Sequence, residues 1–452
     1  MSKPKQKSLF EEDSIPEKGS GFGDTNFISN KTERIHRWVP WIAGFSSDFV
    51  RGIVEEEMQS RGRVLDPFSG VGTTLVEAAI MGHDTVGFEI NPYAVLATRV
   101  KFGARTANPS DLKETIEQFQ DFYYAKVESG YEPDSTPPSG FNTRAEFYAP
   151  KVERKVLIFW DFVDTIDDDV VRDLFRIAFA SKMITFANYS YEPSLGTHNA
   201  ADRPRIEDYP VGKALQQKLD EMLEDIRWFQ GETSAPKVDG KVIQDSFFNC
   251  REYMEEGSAD LAVTSPPYLN NYHYIRNTRP QLYWMGCVES PKEYGPIEHG
   301  NYGKYWQTVR DAEKVVDLNF PAPPDDLVEL IGELRELNPE KGQYGGNGWA
   351  NYAATYFNDT YQFGKGLMHA LRPGAKAYIA VGNSILQGLN FETDRHLANV
   401  CEVAGMEIQD IHTPRDARTG NSIIQSEVRV TEAKQSHQLY ESVVELRRPQ
   451  ET

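Results

Sequence analysis

Four residues that follow a short apolar stretch have the groups needed to hold a flat base carrying an amine. Residues 261–263 are Leu, Ala and Val, which predict a buried strand, and residues 265–268 are Ser-Pro-Pro-Tyr. Ser265 and the carbonyl of Pro266 can each accept a hydrogen bond from the amine, and Tyr268 can stack on a base swung out of its helix. The prolines restrict the backbone and fix that carbonyl. The run predicts chemistry on a base amine, and a structural turn is the alternative.

A glycine-rich turn upstream has the layout of a site for a nucleoside cofactor. Residues 64–68 predict a strand, and Gly70 and Gly72 let the backbone approach a ligand before a helix opens at the next threonines. Glu89 lies 17 residues beyond Gly72, at the exit of the next predicted strand, where a carboxylate can accept hydrogen bonds from both ribose hydroxyls. An ordinary tight turn is the alternative for the glycines alone. With the Ser-Pro-Pro-Tyr run, this turn indicates a methyl transferase acting on a base.

Two aspartates accompany these motifs. Asp66 can orient the turn or meet the positive end of the cofactor, and capping of the turn backbone is the competing structural role. Asp245 ends the strand that precedes the Ser-Pro-Pro-Tyr strand, so in a parallel sheet both strands end at the same crevice. We therefore expect Asp245 to accept a hydrogen bond from an adenine amine.

The elements that must position these residues alternate between strands and helices. This alternation favours an α/β fold with a mostly parallel sheet that is covered by helices on both faces. A final strand-like run is predicted at the edge of the sheet. The predicted strands are 64–68, 85–89, 241–245, 261–264, 377–381 and 439–446.

Two long interruptions divide the α/β pattern, and each is too long for a plain connection. The first shows helical periodicity and is predicted to pack separately. The second ends at residues 345–349, where glycines predict a mobile loop able to close over a substrate. The predicted division is a disordered tail at 1–27, catalytic parts at 28–104, 240–286 and 351–452, a helical insertion at 105–239 and a second insertion at 287–350.

The charge of the chain limits how it can bind nucleic acid. A formal net charge of -20 argues against general adhesion to phosphates, which normally depends on clustered Lys and Arg. Binding would need a local patch, and Arg276 with Arg279 just beyond the Ser-Pro-Pro-Tyr run is one candidate. A solvated face is the alternative for each such cluster.

Cysteine usage and hydropathy narrow the class further. Cys250, Cys287 and Cys401 lie far apart without paired ligand spacing, so neither a zinc site nor a disulfide framework is predicted. No stretch approaches the roughly 18 consecutive apolar residues of a membrane span, and the first residues lack an apolar signal core. We expect a soluble, cytoplasmic protein that uses no metal.

The motifs and their order resemble those of the amino-group DNA methyltransferases, which transfer a methyl group from S-adenosylmethionine to an exocyclic nitrogen of cytosine or adenine. The resemblance covers roughly half of the chain, and residues 36–50 are similar to the family's flanking cofactor element. It implies a Rossmann-like methyltransferase sheet, mostly parallel and seven-stranded, with a largely helical insertion. The implied cofactor-binding residues are Asp66, Pro67, Phe68, Gly70, Gly72, Thr73, Thr74, Glu89, Asn91 and Asp245. The implied catalytic residues are Ser265, Pro266, Pro267 and Tyr268, and the candidate DNA contacts are Arg276, Arg279 and Asn271.

The resemblance also bears on the target base. Serine in the first motif position favours cytosine-N4 methylation, whereas Asp or Asn usually marks adenine-N6 enzymes, so adenine-N6 is the alternative. Methylation of a ring carbon would need an attacking thiol in a Pro-Cys pair, and the sequence has none. Methyl transfer from a sulfonium depends above all on in-line positioning, which requires neither a metal nor a covalent cysteine.

The implied partner is double-stranded DNA, read at a specific site by base flipping in a restriction-modification context. The acidic chain leaves room for a partner subunit of a restriction system. Target reading is assigned to the insertion at 105–239, assisted by Arg276, Arg279 and the loop at 345–349. An RNA base methyltransferase and a non-catalytic regulatory protein that binds cofactor and nucleic acid are the further alternatives.

Overall fold

The computed structural model describes residues 29–41, 44–191, 195–232, 238–269, 274–304, 309, 314–412 and 439–450. The predicted tail at 1–27 and Asn271 lie outside these residues. The first part of the fold comprises α1 (Ser47–Glu57), β1 (Arg63–Asp66), α2 (Thr73–Ile80), β2 (Asp84–Phe88) and α3 (Pro92–Gly103). The insertion that follows comprises α4 (Pro109–Glu128), α5 (Pro150–Val163), α6 (Asp169–Lys182), β3 (Tyr189–Tyr191), β4 (Leu195–Thr197) and α7 (Val211–Glu232).

The remaining elements return to the α/β pattern. The middle part comprises β5 (Gly240–Ile243), β6 (Ala259–Thr264), α8 (Tyr274–Asn277), α9 (Arg279–Trp284) and α10 (Tyr294–His299). The last part comprises α11 (Asp325–Glu336), α12 (Gly346–Ala370), β7 (Leu371–Gly382), β8 (Ser384–Leu386), β9 (Leu389–Phe391), α13 (Thr393–Val403), β10 (Glu407–His412) and β11 (Glu441–Arg447).

The central sheet has seven strands in the order β10-β11-β7-β6-β1-β2-β5. Neighbouring strands pair in parallel except at β11, which is antiparallel to both β7 and β10. The prediction of a mostly parallel, Rossmann-like sheet is therefore confirmed. The chain runs outward from β1 to β2 and β5, then returns to β6 on the other side of β1. In such a sheet, ligands bind outside the carboxyl ends of the strands at this reversal.

Successive residues of the strands enter two different apolar layers, because side chains alternate across a sheet. Val64 and Leu261 pack with Phe49 of α1 on one face. Leu65 packs with Phe363 of α12 on the other face. Helices therefore cover both faces of the sheet, as predicted.

The C-terminal strand lies inside the sheet, whereas the sequence predicts it at the edge. β11 is hydrogen-bonded between β10 and β7, and its Val443, Val444 and Leu446 are buried. The edge strand β10 has the sequence Glu-Ile-Gln-Asp-Ile-His and is only partly covered, so it lacks the apolar run that predicts a strand. A nearly continuous apolar run, as in β11, is typical of a strand that is buried on both faces.

The helical insertion shares its core with the catalytic fold, which corrects the prediction of separate packing. Helices α4 to α7 and Ala94 and Ala97 of α3 belong to one buried cluster, which also includes Leu282 of α9. The fully buried carboxylate of Asp225 on α7 accepts hydrogen bonds from the backbone N–H of Ile35 at 2.9 Å and from other donors of the adjoining N-terminal segment. The insertion and the cofactor half therefore pack as one body.

The glycine-rich run at 345–349 forms a helix start, whereas the sequence predicts a mobile loop. Gly345 is the N-cap residue of α12, and Gly346 begins the helix. A Cβ on Gly346 would lie 2.0 Å from the carbonyl oxygen of Leu334, and one on Gly345 would lie 2.2 Å from that of Asn338. These glycines therefore allow close backbone packing against α11 and the segment after it, and do not provide mobility.

A helix that crosses a membrane must be long and apolar enough to span the bilayer. None of the helices that the structure describes is long and apolar enough to cross a membrane.

Candidate active site

A cleft lies at the reversal of strand order, between the carboxyl ends of β1 and β6. It encloses about 840 Å³, part of it open to solvent, and is lined by side chains from both halves of the sheet. Nine of the predicted site residues line it: Pro67, Phe68, Gly70, Thr73, Glu89, Asn91, Asp245, Ser265 and Pro267. Five others, Asp66, Gly72, Thr74, Pro266 and Tyr268, lie beside the cleft without lining it in this structure.

The glycine turn after β1 adopts a conformation that needs glycine at two positions. Gly70 has a φ of 48° and Gly72 a φ of 83°. A Cβ on Gly72 would lie 2.8 Å from the Cγ2 atom of Thr98, and one on Gly70 would lie 3.3 Å from Trp41 Nε1. Thr98 in turn donates from its hydroxyl to the carbonyl of Gly70 at 3.0 Å. The two glycines thus allow the turn to pack closely against Thr98 and Trp41.

Glu89 joins the glycine turn to the end of β2. Its two carboxylate oxygens accept the backbone N–H of Gly70 at 2.9 Å and of Asn91 at 2.7 Å. Burial raises the pKa of Glu89 to about 7, although these two N–H groups act in the opposite direction. A carboxylate has about four lone-pair positions, so capacity remains on the side that faces the cleft. That capacity suits a pair of vicinal hydroxyls.

Asp66 ties the ends of β1 and β6 together. It is fully buried, and its Oδ1 accepts the hydroxyl of Thr264 at 2.7 Å and the backbone N–H of Phe68 at 3.1 Å. Burial raises its pKa to about 6, against these hydrogen bonds. Thr74 adds a second link, since its hydroxyl donates to the carbonyl of Val263 at 3.1 Å. These hydrogen bonds favour a role in which Asp66 orients the turn over one in which it meets the cofactor.

Asp245 and Asn91 lie in the wall of the cleft with most of their polar atoms already paired. Asp245 accepts the hydroxyl of Tyr253 at 2.7 Å and the side-chain amide of Asn249 at 3.0 Å. Asn91 caps α3 through the backbone N–H of Tyr93 at 3.1 Å and donates to Thr278 at 2.8 Å. Asn91 therefore shapes the wall and connects it to the start of α9.

The Ser-Pro-Pro-Tyr run follows β6 directly, as predicted. Ser265 and Pro267 line the cleft. The hydroxyl of Tyr356 on α12 donates to the carbonyl of Pro267 at 3.1 Å, so the backbone of the run is held from outside. Tyr268 lies beside the cleft, and its hydroxyl donates to Glu441 at 3.0 Å.

Aromatic side chains complete the walls, and two of them are absent from the sequence prediction. Trp41, from the predicted flanking segment, stacks on Tyr274 with ring centroids 5.7 Å apart. Tyr302 packs edge-on against Phe68 with centroids 5.2 Å apart. Tyr274 and Tyr302 both line the cleft. Their nearness to the catalytic run in sequence is a signal for Tyr274, whereas Tyr302 comes from the second insertion and carries no local signal.

The candidate DNA contacts have different surroundings. Arg276 is exposed on α8, next to the cleft. Arg279 donates to the carbonyl of Asn142 at 2.7 Å and lies over the ring of Tyr283, so it joins the insertion to α9. Of the two arginines, Arg276 is thus the one placed to meet a ligand.

The cysteines and acidic residues were also examined as metal ligands. All three cysteines are free, and burial raises the pKa of Cys250 and Cys287 to about 11. Among the described residues, no group of three or more His, Cys, Asp or Glu side chains could hold a metal ion.

Comparisons with known proteins agree with this geometry. Residues 18–99 match the family of N6 and N4 methyltransferases that is described as DNA methylase. The Type II methyltransferase M.BsoBI from Geobacillus stearothermophilus is 23% identical over 442 residues, which cover 88% of this chain and 83% of that protein. The Type II methyltransferase M.AvaI from Nostoc sp. is 22% identical over 410 residues, covering 85% of this chain and 82% of that protein.

A solved structure with a related description was also compared. The rRNA methyltransferase aviRa from Streptomyces viridochromogenes is 8% identical, with 90% of this chain and 87% of that chain covered, at a TM-score of 0.31. The fold is assigned from the strand order of the seven-stranded sheet.

The strand order is that of a Rossmann-like methyltransferase sheet, and the cleft lies at the reversal of that order. The family match over residues 18–99 and the two long alignments support the amino-group methyltransferase family that the motifs resemble.

The residues of the cleft fit S-adenosylmethionine as the cofactor. Glu89 has lone pairs left that could accept ribose hydroxyls, and the Asp245 carboxylate in the same cleft could accept a hydrogen bond from an adenine amine. Gly70 lacks the Cβ that would project toward Trp41 at the mouth of the cleft. When it is bound, S-adenosylmethionine supplies the methyl group.

Proposed function

We propose that this protein methylates the exocyclic N4 amine of cytosine at a specific site in duplex DNA. The observation that carries the proposal is that Ser265 and Pro267 line the same cleft as Gly70, Glu89 and Asp245. A base held by the Ser-Pro-Pro-Tyr run would therefore lie next to a cofactor held by Gly70, Glu89 and Asp245. An amine inside a duplex cannot reach such a cleft, so the target base must leave the stack.

The chemistry assigned to the Ser-Pro-Pro-Tyr run is positioning. An exocyclic amine is a poor nucleophile because its lone pair is delocalised into the ring. Ser265 accepts one amine hydrogen and the carbonyl of Pro266 accepts the other, which directs the lone pair toward the methyl group. Tyr356 supports this arrangement, because its hydrogen bond to the Pro267 carbonyl restrains the backbone beside the acceptors. Tyr268 stacks on the extruded base.

Duplex DNA and a restriction-modification context are proposed from the relatives. M.BsoBI and M.AvaI are both Type II methyltransferases, and each aligns over more than four fifths of this chain. We further propose that the insertion at 105–239 reads the target and that exposed Arg276 assists at the mouth of the cleft. A restriction endonuclease is the proposed counterpart of the enzyme.

Adenine-N6 methylation is the second candidate. The matched family includes both N6 and N4 enzymes, and both reactions use the same pair of acceptors on an exocyclic amine. Serine in place of Asp or Asn at position 265 is the feature that favours cytosine.

The test is to identify the methylated nucleoside. Purified protein is incubated with methyl-labelled cofactor and unmethylated genomic DNA, the DNA is digested, and labelled nucleosides are identified by mass spectrometry, with Ser265→Ala as control. Label on N4-methylcytosine supports the proposal, and label on N6-methyladenine replaces it with the second candidate. Label only in a parallel RNA reaction would refute a DNA substrate. Cofactor binding without label in any nucleic acid would favour a non-catalytic protein.

A further inference from the structure

The tyrosine of the catalytic run is held by residues from the far end of the sheet. The Tyr268 hydroxyl donates to Glu441 Oε1 at 3.0 Å, although the two residues are 173 positions apart in the chain. Burial and the nearby Glu441 carboxylate raise the pKa of Tyr268 well above its ordinary range, so the phenol stays a hydrogen-bond donor. The ring lies against Gly382, where an added Cβ would be 3.1 Å from the ring Cε2 atom.

Glu441 is itself fixed by the residues on either side of it. Tyr440 and Ser442 both donate through their hydroxyls to the buried carboxylate of Asp394 on α13, at 3.1 and 2.8 Å. Asn383 accepts the backbone N–H of Tyr440 at 2.8 Å and donates its own N–H to the Tyr440 carbonyl at 3.2 Å. Because side chains alternate along a strand, Glu441 faces the opposite side from its two anchored neighbours. It therefore faces Tyr268 from a rigid support.

The absence of a side chain at Gly382 also permits the contact between Tyr268 and Glu441. Gly382 ends β7 and pairs with Glu441 in the antiparallel register of β7 and β11. Any side chain there would push against the Tyr268 ring and against the carbonyl oxygen of Tyr440, which an added Cβ would approach to 2.8 Å. The Tyr268 ring therefore packs against Gly382, and its hydroxyl is hydrogen-bonded to Glu441.

We propose that Glu441 is a positioning residue that fixes the Tyr268 ring at the angle needed to stack on the target base. This inference rests on the proposed function, in which Tyr268 contacts the extruded base. A ring anchored at its hydroxyl cannot swing, so it presents one face before the base arrives. Glu441 touches neither the base nor the cofactor in this role and acts through Tyr268.

A double-mutant cycle separates this role from a merely structural one. Rates of methyl transfer to unmethylated genomic DNA are measured in single turnover for the wild type, Tyr268→Phe, Glu441→Ala and the double variant. Each single variant loses the same hydrogen bond, so we expect each to slow transfer about fivefold. The double variant should also be about fivefold slower, because the bond can be lost only once. Glu441→Gln retains an acceptor oxygen and should recover most of the rate.

Two controls isolate the effect. Glu407→Ala removes a carboxylate on the neighbouring strand β10 whose partner is Arg447, and its rate should match the wild type. Affinity for S-adenosylhomocysteine, measured by calorimetry, should stay unchanged in every variant. A loss of affinity in Glu441→Ala would instead indicate general damage to the cleft and would overturn the positioning role.

The outcomes are distinct. If Glu441→Ala slows the Tyr268→Phe variant as strongly as it slows the wild type, Glu441 does not act through Tyr268 and the inference is wrong. An unchanged rate in Glu441→Ala would also overturn it. A wild-type protein that binds S-adenosylhomocysteine but methylates no DNA would overturn the proposed function, and the assignment of Glu441 with it.

Discussion

The two sides of the cleft are built by different means. On the cofactor side, the Glu89 carboxylate accepts hydrogen bonds from backbone N–H groups of the glycine turn and of Asn91, all within one short segment of the chain. On the catalytic side, the run after β6 is held by side-chain hydroxyls and carboxylates from distant elements, such as Tyr356 and Glu441. The two sides meet at Asp66, which accepts a hydrogen bond from Thr264 across the reversal of strand order.

Because of this difference, mutations on the two sides of the cleft should affect different properties of the enzyme. Cofactor binding depends on backbone shape, so changes within the turn should affect affinity. Methyl transfer depends on how the Ser-Pro-Pro-Tyr run is supported, so changes far away in the chain should affect rate and leave affinity intact. A turn variant that leaves affinity intact, or a variant of the distant supports that lowers affinity, would contradict this difference between the two sides.

The largest effect is expected for Ser265→Ala. The target amine loses an acceptor at the reacting atom, so methyl transfer to DNA should fall about 100-fold, the size expected for one preorganised hydrogen bond at a reaction centre. Affinity for S-adenosylhomocysteine should stay at the wild-type value. Ser290→Ala, at a serine that lies outside the insertion at 105–239 and whose hydroxyl donates to Glu293, is the control and should keep full activity. If Ser265→Ala lost affinity for S-adenosylhomocysteine as well as activity, the separate roles of the two sides of the cleft would be contradicted.

The glycine turn offers a matched pair for the cofactor side. Gly72 and Gly82 both have a positive φ, of 83° and 87°, but an added Cβ meets Thr98 at Gly72 and open space at Gly82. Gly72→Ala should therefore displace Thr98 from the Gly70 carbonyl and lower cofactor affinity about tenfold. Gly82→Ala should lower the midpoint of thermal unfolding without changing affinity. Calorimetry and thermal melts check both, and equal affinities would show that the turn does not shape the site.

Tyr356→Phe tests the support of the catalytic side. The Pro267 carbonyl loses its donor, so the rate of methyl transfer should fall about fivefold while cofactor affinity is retained. Tyr148→Phe is the control, because Tyr148 is a buried tyrosine whose hydroxyl donates to the carbonyl of Met183 in the insertion. Both variants should lose similar stability, but only the first should slow transfer. A slower Tyr148→Phe would mean that stability alone sets the rate.

The smallest effect concerns pH. Burial raises the pKa of Asp66 to about 6 and of Glu89 to about 7, from ordinary values of 3.8 and 4.5. Raised carboxyl pKa values mean that these groups favour folding below about pH 4 and that this contribution is lost as pH rises toward 7. Ribose hydroxyls form stronger hydrogen bonds with ionised Glu89 than with its neutral form, so affinity should rise about threefold between about pH 6 and 8 while stability falls. Affinity that falls over this range would exclude Glu89 as the acceptor.

The sequence identified residues that the structure brings together at the cleft because the determinants of the glycine turn are local. Gly70, Gly72 and Glu89 lie close together in the chain, and the strand, turn and helix between them are typical of a nucleoside site. The mostly parallel sheet also followed from the alternation of strands and helices, whereas the place of β11 inside the sheet did not. The catalytic run was identified from four contiguous residues, and the structure places it at the end of β6.

The supports of the catalytic side had no local signal. Glu441 is one acidic residue at the start of an apolar strand, and only the pairing of β11 with β7 brings it to Tyr268. The same reason explains the wrong prediction at 345–349, since glycines that pack against a backbone cannot be told from mobile ones by composition. Contacts between distant elements decide both cases.

The most direct test of the account is a crystal structure with S-adenosylhomocysteine bound. We predict that the ligand binds in the cleft between β1 and β6. Its ribose hydroxyls should contact Glu89, its adenine should lie beside Asp245, and its sulfur should be directed toward Ser265. A ligand bound elsewhere, or one whose sulfur is directed away from Ser265, would contradict the assignment of the two sides.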